Sequence, residues 1–83
     1  MWILYVLECA DGTLYTGVTT DIDRRLHEHN KTSRGAKYTR SRRPVNLVWL
    51  RAYETRSEAQ KAEYQFKKLL HKQKWEIIKK TTI

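Results

Sequence analysis

The 83-residue chain predicts an α+β fold: a small three-stranded antiparallel sheet flanked by helices, in the order ββαβαα. Three observations carry that prediction. Two short β-rich apolar runs, Trp2 to Cys9 and Leu14 to Val18, are separated by the turn signal Asp11-Gly12. A third run, Val45 to Tyr53, alternates and carries Val, Leu, Trp and Tyr. Two segments of helical spacing follow capping signals, one behind the hairpin and one behind the third run. A short hairpin makes the first two strands antiparallel.

Each element has a local reason. Asp11-Gly12 closes the hairpin in one of two ways. A strict two-residue turn pairs Tyr5 with Val18 and puts Tyr15 on the opposite face. A three-residue loop, Ala10-Asp11-Gly12 with Gly12 left-handed, shifts the pairing by one, and Tyr5, Tyr15 and Gly17 then share a face. Asp21 caps a first helix running to about Asn30, with Asp23 favouring its dipole. Lys31 to Pro44 reads as a loop. Thr55-Arg56-Ser57-Glu58 is a capping-box sequence opening a helix through about Leu70. His71 to Lys80 predicts a last, weaker helix with Trp75 and Ile78 turned inward.

Composition bounds the function. No repeat or linker divides the chain, so residues 1–83 are expected to form one domain with a thin core. Lys and Arg number 17 against 9 Asp and Glu, a net charge of +8, which favours a polyanionic partner, chiefly nucleic acid. A lone cysteine, Cys9, excludes an internal disulfide and a cysteine-rich zinc site. The opening apolar run is too short for a membrane span and has no basic leader, so a cytoplasmic protein with no membrane association is expected, and a monomer.

Charged residues fall on the apolar sides of both long helices. At about 100° per residue, Ile22 and Leu26 define the buried stripe of the first, and Arg25 and His29 share that arc. Arg24, His27 and Glu28 point away. A guanidinium facing the sheet requires a carboxylate, phosphate or phenolate partner. On the later helix Ala59, Ala62, Phe66 and Leu70 form the stripe with Glu63 in its middle. A glutamate there needs a cation or hydrogen-bond partner, Arg25 being one candidate. Between the helices, Lys31, Arg34, Lys37, Arg40, Arg42 and Arg43 accumulate with no acidic residue among them, a run suited to phosphates and carrying little sequence information.

The order Leu4-Tyr5-Val6, then Tyr15-Thr16-Gly17, then the arginine-bearing helix Asp21 to Leu26 resembles the GIY-YIG nuclease domain. Gly35-Ala36-Lys37-Tyr38-Thr39, followed by Arg42-Arg43-Pro44, resembles its small, stand-alone bacterial branch, and with that branch the likeness spans nearly the whole chain. The resemblance requires the three-residue hairpin loop. It implies metal-dependent endonuclease activity on DNA, with one magnesium or manganese ion held by Glu63. Tyr5 and Tyr15 would bind and deprotonate the attacking water, Arg25 would steady negative charge, and Gly17 would allow close backbone approach to phosphate or helix. Val18 stands where many members carry lysine, and His29 where some carry tyrosine, a residue equally able to act as base or donor. The asparagine often found in the family's last helical region is absent, for the only asparagines are Asn30 and Asn46.

Three functions remain open on sequence: a metal-dependent DNA endonuclease, a non-catalytic nucleic-acid-binding module on the same fold, and an interaction domain with an acidic protein partner. An inward glutamate separates the first two, because binding alone does not need one.

Overall fold

The computed structural model describes residues 1–81. Strand β1 (Trp2–Glu8) lies between β2 (Leu14–Thr19) and β3 (Asn46–Tyr53), and both pairings are antiparallel. The helices are α1 (Ile22–Lys31), α2 (Lys37–Arg40), α3 (Arg56–Lys67) and α4 (His71–Thr81). The expected order ββαβαα therefore holds, with one addition: α2 is a single helical turn inside the segment expected to be loop. Its N-cap, Ala36, makes no side-chain capping bond, so the sequence carried no start signal for it.

The hairpin adopts the three-residue form. Gly12 has φ +84 and bonds Cys9 O, while Cys9 N bonds Thr13 O, so Tyr5 pairs with Gly17 and Leu7 with Tyr15. Asp11 accepts from Thr13 N at 3.1 Å, a local bond that competes with a tighter turn. The caps are as read: Asp21 Oδ1 accepts from Arg24 N at 3.0 Å, and Thr55 and Glu58 complete a capping box.

Because β1 is central, it is buried on both faces. Tyr5, Leu7 and Cys9 join Val45 under α1, with Ile22, Leu26 and Leu47 around them. On the other face Val6 packs with Phe66 of α3 and Ile78 of α4, with Trp49, Leu69 and Trp75 alongside. A bulge makes both faces possible for β3. Val6 pairs with Trp49 but Leu7 pairs with Leu47, so the strand slips one residue and sends side chains to each core. One expected core position fails. Helix α3 stops at Lys67 rather than Leu70, Leu69 takes the packed place, and Leu70 is 70 % exposed at the start of α4, its N–H held by Gln73 Oε1. Among the described residues no helix is long and apolar enough to cross a membrane.

Candidate active site

Tyr5 and Gly17 face each other across the hairpin, and the missing side chain at 17 is what seats the Tyr5 ring. A Cβ placed on Gly17 would lie 2.6 Å from Tyr5 Cζ, closer than real atoms approach. The close approach that this glycine allows in the folded chain is that of the Tyr5 phenol.

From that seat the Tyr5 hydroxyl lies 2.8 Å from His29 Nε2, and both side chains are buried. His29 Nδ1 lies 2.8 Å from Thr39 Oγ1 on α2, and Thr39 donates to Ala36 O at 2.9 Å. A buried chain of polar groups thus runs from strand to helix to helical turn. Tyr15, on the same face as Tyr5, sets its ring edge-on to His29 with centroids 5.1 Å apart and stacks on Tyr38 at 6.0 Å. Among the described residues every buried side-chain nitrogen and oxygen has a partner.

Burial governs the protonation of this chain. It pushes the Tyr5 phenol up to about 12, against the pull of the neighbouring Arg25 charge. It also pushes the His29 imidazole down to about 4, reinforced by repulsion from Arg25, so the ring is neutral at ordinary pH.

Arg25 faces inward as its place on the helix predicts, but its carboxylate partner is unexpected. Nη1 donates to Glu28 Oε1 at 3.0 Å and to Arg34 O at 2.8 Å. Glu28 was expected to point to solvent; its side chain is 15 % exposed, because Arg25 draws it in. Glu63 does not meet Arg25. Its Oε2 lies 3.3 Å from Lys67 Nζ, one turn along α3, and the side chain is 24 % exposed.

Trp2, Tyr5, Tyr15, Gly17, Arg25 and Glu63 line one cleft of about 220 Å³, together with Val18 and, from α3, Arg56 and Gln60. The structure thus gathers five of the expected residues, Tyr5, Tyr15, Gly17, Arg25 and Glu63, with His29 behind Tyr5. Thr39, Trp2, Arg56 and Gln60 were not anticipated. Thr39 gave no signal because its role depends on a bond to a residue ten positions away.

The basic run divides in two. Lys31, Arg34, Lys37 and Arg40 are exposed. Arg42 instead bonds Asp11 Oδ2 at 3.0 Å and Tyr38 O, with its guanidinium 3.9 Å over the Tyr38 ring. Arg43 donates to His29 O at 2.6 Å, to Glu28 O and to Thr32 O, closing the C-terminal end of α1. Nε and one terminal nitrogen of each of these two arginines are engaged by the protein itself.

Among the described residues no three His, Cys, Asp or Glu side chains come together to hold a metal, and Glu63 is the one carboxylate lining the cleft. A single carboxylate suits a hard cation that keeps most of its waters, as magnesium does, and ill suits zinc.

The family model described as the GIY-YIG catalytic domain matches residues 1–76. The UPF0213 protein DP2720 of Desulfotalea psychrophila is 54 % identical over 78 residues, covering 94 % of this chain and 71 % of that protein. The UPF0213 protein SAG0778 of Streptococcus agalactiae is 54 % identical over 76 residues, covering 92 % and 85 %. Among solved structures, the solution structure of the UPF0213 protein BH0048 from Bacillus halodurans shares 43 % identity and a TM-score of 0.63, covering 98 % of this chain and 86 % of that one. That of EF2693 from E. faecalis shares 54 % identity and a TM-score of 0.65, covering 94 % and 82 %.

Proposed function

This chain belongs to the GIY-YIG family, and on that premise we propose that its cleft hydrolyses phosphodiester bonds in nucleic acid, DNA in preference to RNA. The observation that carries the reading is the 2.8 Å hydrogen bond between the Tyr5 hydroxyl and His29 Nε2, set beside Arg25 and Glu63. The protein acts in the cytoplasm as a monomer.

Tyr5 alone is a poor base with its phenol near 12. His29 supplies an acceptor. Thr39 gives its hydroxyl proton to Ala36 O, which leaves the Thr39 oxygen to accept and assigns the ring proton to Nδ1. Nε2 then presents a lone pair to Tyr5. The Ala36 N–H, 3.4 Å from Nδ1, favours the opposite tautomer but is too long to prevail. As a water attacks phosphorus, it passes a proton to the Tyr5 oxygen while the Tyr5 proton moves to Nε2. The water oxygen bonds to phosphorus, and the leaving oxygen takes the electron pair of the broken bond and a proton from solvent. Tyr15 orients the water, and Arg25 stabilises the charge gathering on the phosphate.

Glu63 is the residue that would hold one magnesium or manganese ion, which when bound supplies Lewis-acid charge at the phosphate. Lys31, Arg34, Lys37 and Arg40 would neutralise flanking phosphates. One observation favours a second reading, a binding module without turnover: Lys67 already balances the Glu63 charge, so folding does not require a metal there.

Incubation with single-stranded, duplex and branched DNA, and with RNA, tests the proposal. Cleavage should appear only with added magnesium or manganese, and Tyr5→Phe and His29→Ala should each lower the rate about 10²-fold or more. A protein that binds these substrates and cuts none of them, with or without metal, is the binding module instead.

A further inference from the structure

Arg56 differs from the other cleft cation. Arg25 is tied to Glu28 and to a backbone carbonyl, whereas among the described residues Arg56 has no carboxylate within ion-pair reach. Its guanidinium carbon lies over Trp2, 5.4 Å from the ring centroid. A guanidinium resting on an aromatic face is restrained, yet it keeps its N–H donors in its own plane and free for a planar anion. The start of α3 is not itself the anion site, since the Thr55–Glu58 capping box already satisfies N–H groups there and places a carboxylate beside them. Recognition falls to the side chain.

We propose that Arg56, held on the Trp2 indole at the mouth of the cleft, grips the substrate phosphate next to the one being attacked. This rests on reading the cleft as a phosphodiester site. Arg56 then fixes which bond of the strand lies over Tyr5 and Tyr15, and Trp2 acts through it as a positioning residue.

The test measures binding of a fluorescein-labelled DNA duplex and its single strand without metal, across a salt series. The proteins are wild type, Arg56→Ala, Arg56→Lys, Trp2→Leu and the surface control Lys72→Ala. Arg56→Ala should weaken binding about tenfold and lower the slope of log affinity against log salt by about one. Arg56→Lys should recover part of the loss, and Trp2→Leu should resemble Arg56→Lys. With thymidine 3′,5′-bisphosphate as a small probe, the Arg56 Nε–H resonance should shift in wild type and stay put in Trp2→Leu. An Arg56→Ala protein no weaker than Lys72→Ala, or an unmoved Arg56 resonance, overturns the proposal. Failure of the nuclease reading looks different: wild type leaves every substrate uncut while Arg56→Ala still weakens binding.

Discussion

The two faces of the sheet are built on opposite principles. Under α3 and α4 the packing is apolar, Val6 against Phe66 and Ile78 with the Trp49 ring stacked 5.5 Å from Phe66. Under α1 and α2 the interior contains a phenol, an imidazole and a threonine hydroxyl, each fully buried and each hydrogen-bonded. The first face draws its stability from area removed from water, the second from directional bonds in a place where an unmet polar group is destabilising. The cleft lies where the two meet: Tyr5, Tyr15 and Arg25 come from the polar side, and α3, whose Phe66 packs the apolar side, adds Arg56, Gln60 and Glu63.

That contrast can be broken most severely from the apolar side. Phe66→Ala should destabilise the protein by roughly 3–5 kcal/mol in urea unfolding. Any cleavage by the fraction still folded should be unchanged per molecule, and a specific loss would mean that the two faces are coupled.

Acid should break the polar face first. The folded His29 value, about 4, lies below the ordinary 6.5, so the unfolded chain takes up the proton first. The stability this ring contributes is complete above about pH 6.5 and is lost as the pH falls toward 4, on the order of 3 kcal/mol. Arg25 and Arg43 oppose the imidazolium and Glu28 favours it. His29→Gln should show a flatter stability profile between those pH values. If its slope equals that of wild type, His29 is not the group responsible.

Gly17→Ala sharpens the comparison. The added methyl must displace the Tyr5 ring, which His29 holds, so a loss of roughly 1–3 kcal/mol is expected together with loss of any cleavage. Thermal melting and a rate assay on one preparation would show both. The smallest effect on stability belongs to Glu63→Gln. Its partner Lys67 is largely exposed, and such pairs contribute about 0.5 kcal/mol or less. Cleavage should vanish with no appreciable change in melting. A large destabilisation would assign Glu63 a structural role that its contact with Lys67 does not suggest.

Local rules made much of this legible in advance. Turn chemistry narrowed the hairpin to two registers, and the family resemblance required the one with Gly12 left-handed that puts Tyr5 and Tyr15 on a shared face; the caps at Asp21 and Thr55 fixed the helix starts; helical spacing turned Arg25 and His29 inward. What stayed hidden depends on contacts between distant segments. Thr39 has meaning only once α2 packs on α1, and Arg43 reads as a surface cation until the chain folds back over the end of α1. Glu28 was assigned to solvent because a helical wheel shows where a Cβ points and not where a long side chain bends. The bulge in β3 and the early end of α3 are adjustments to packing, without a sequence mark of their own.

The fit of Tyr5 into the space above Gly17 bears on what the family's hallmark residues signify. Tyrosine on one strand and glycine on the next occupy a single shared volume, so each requires the other for a steric reason that holds even where no reaction takes place. Their presence certifies a hairpin register, not a turnover. On the proposed mechanism hydrolysis also needs residues outside that pair, His29 with Thr39 behind the phenol and Glu63 across the cleft, so a relative keeping the pair while losing those three is expected to retain this architecture as an inert scaffold.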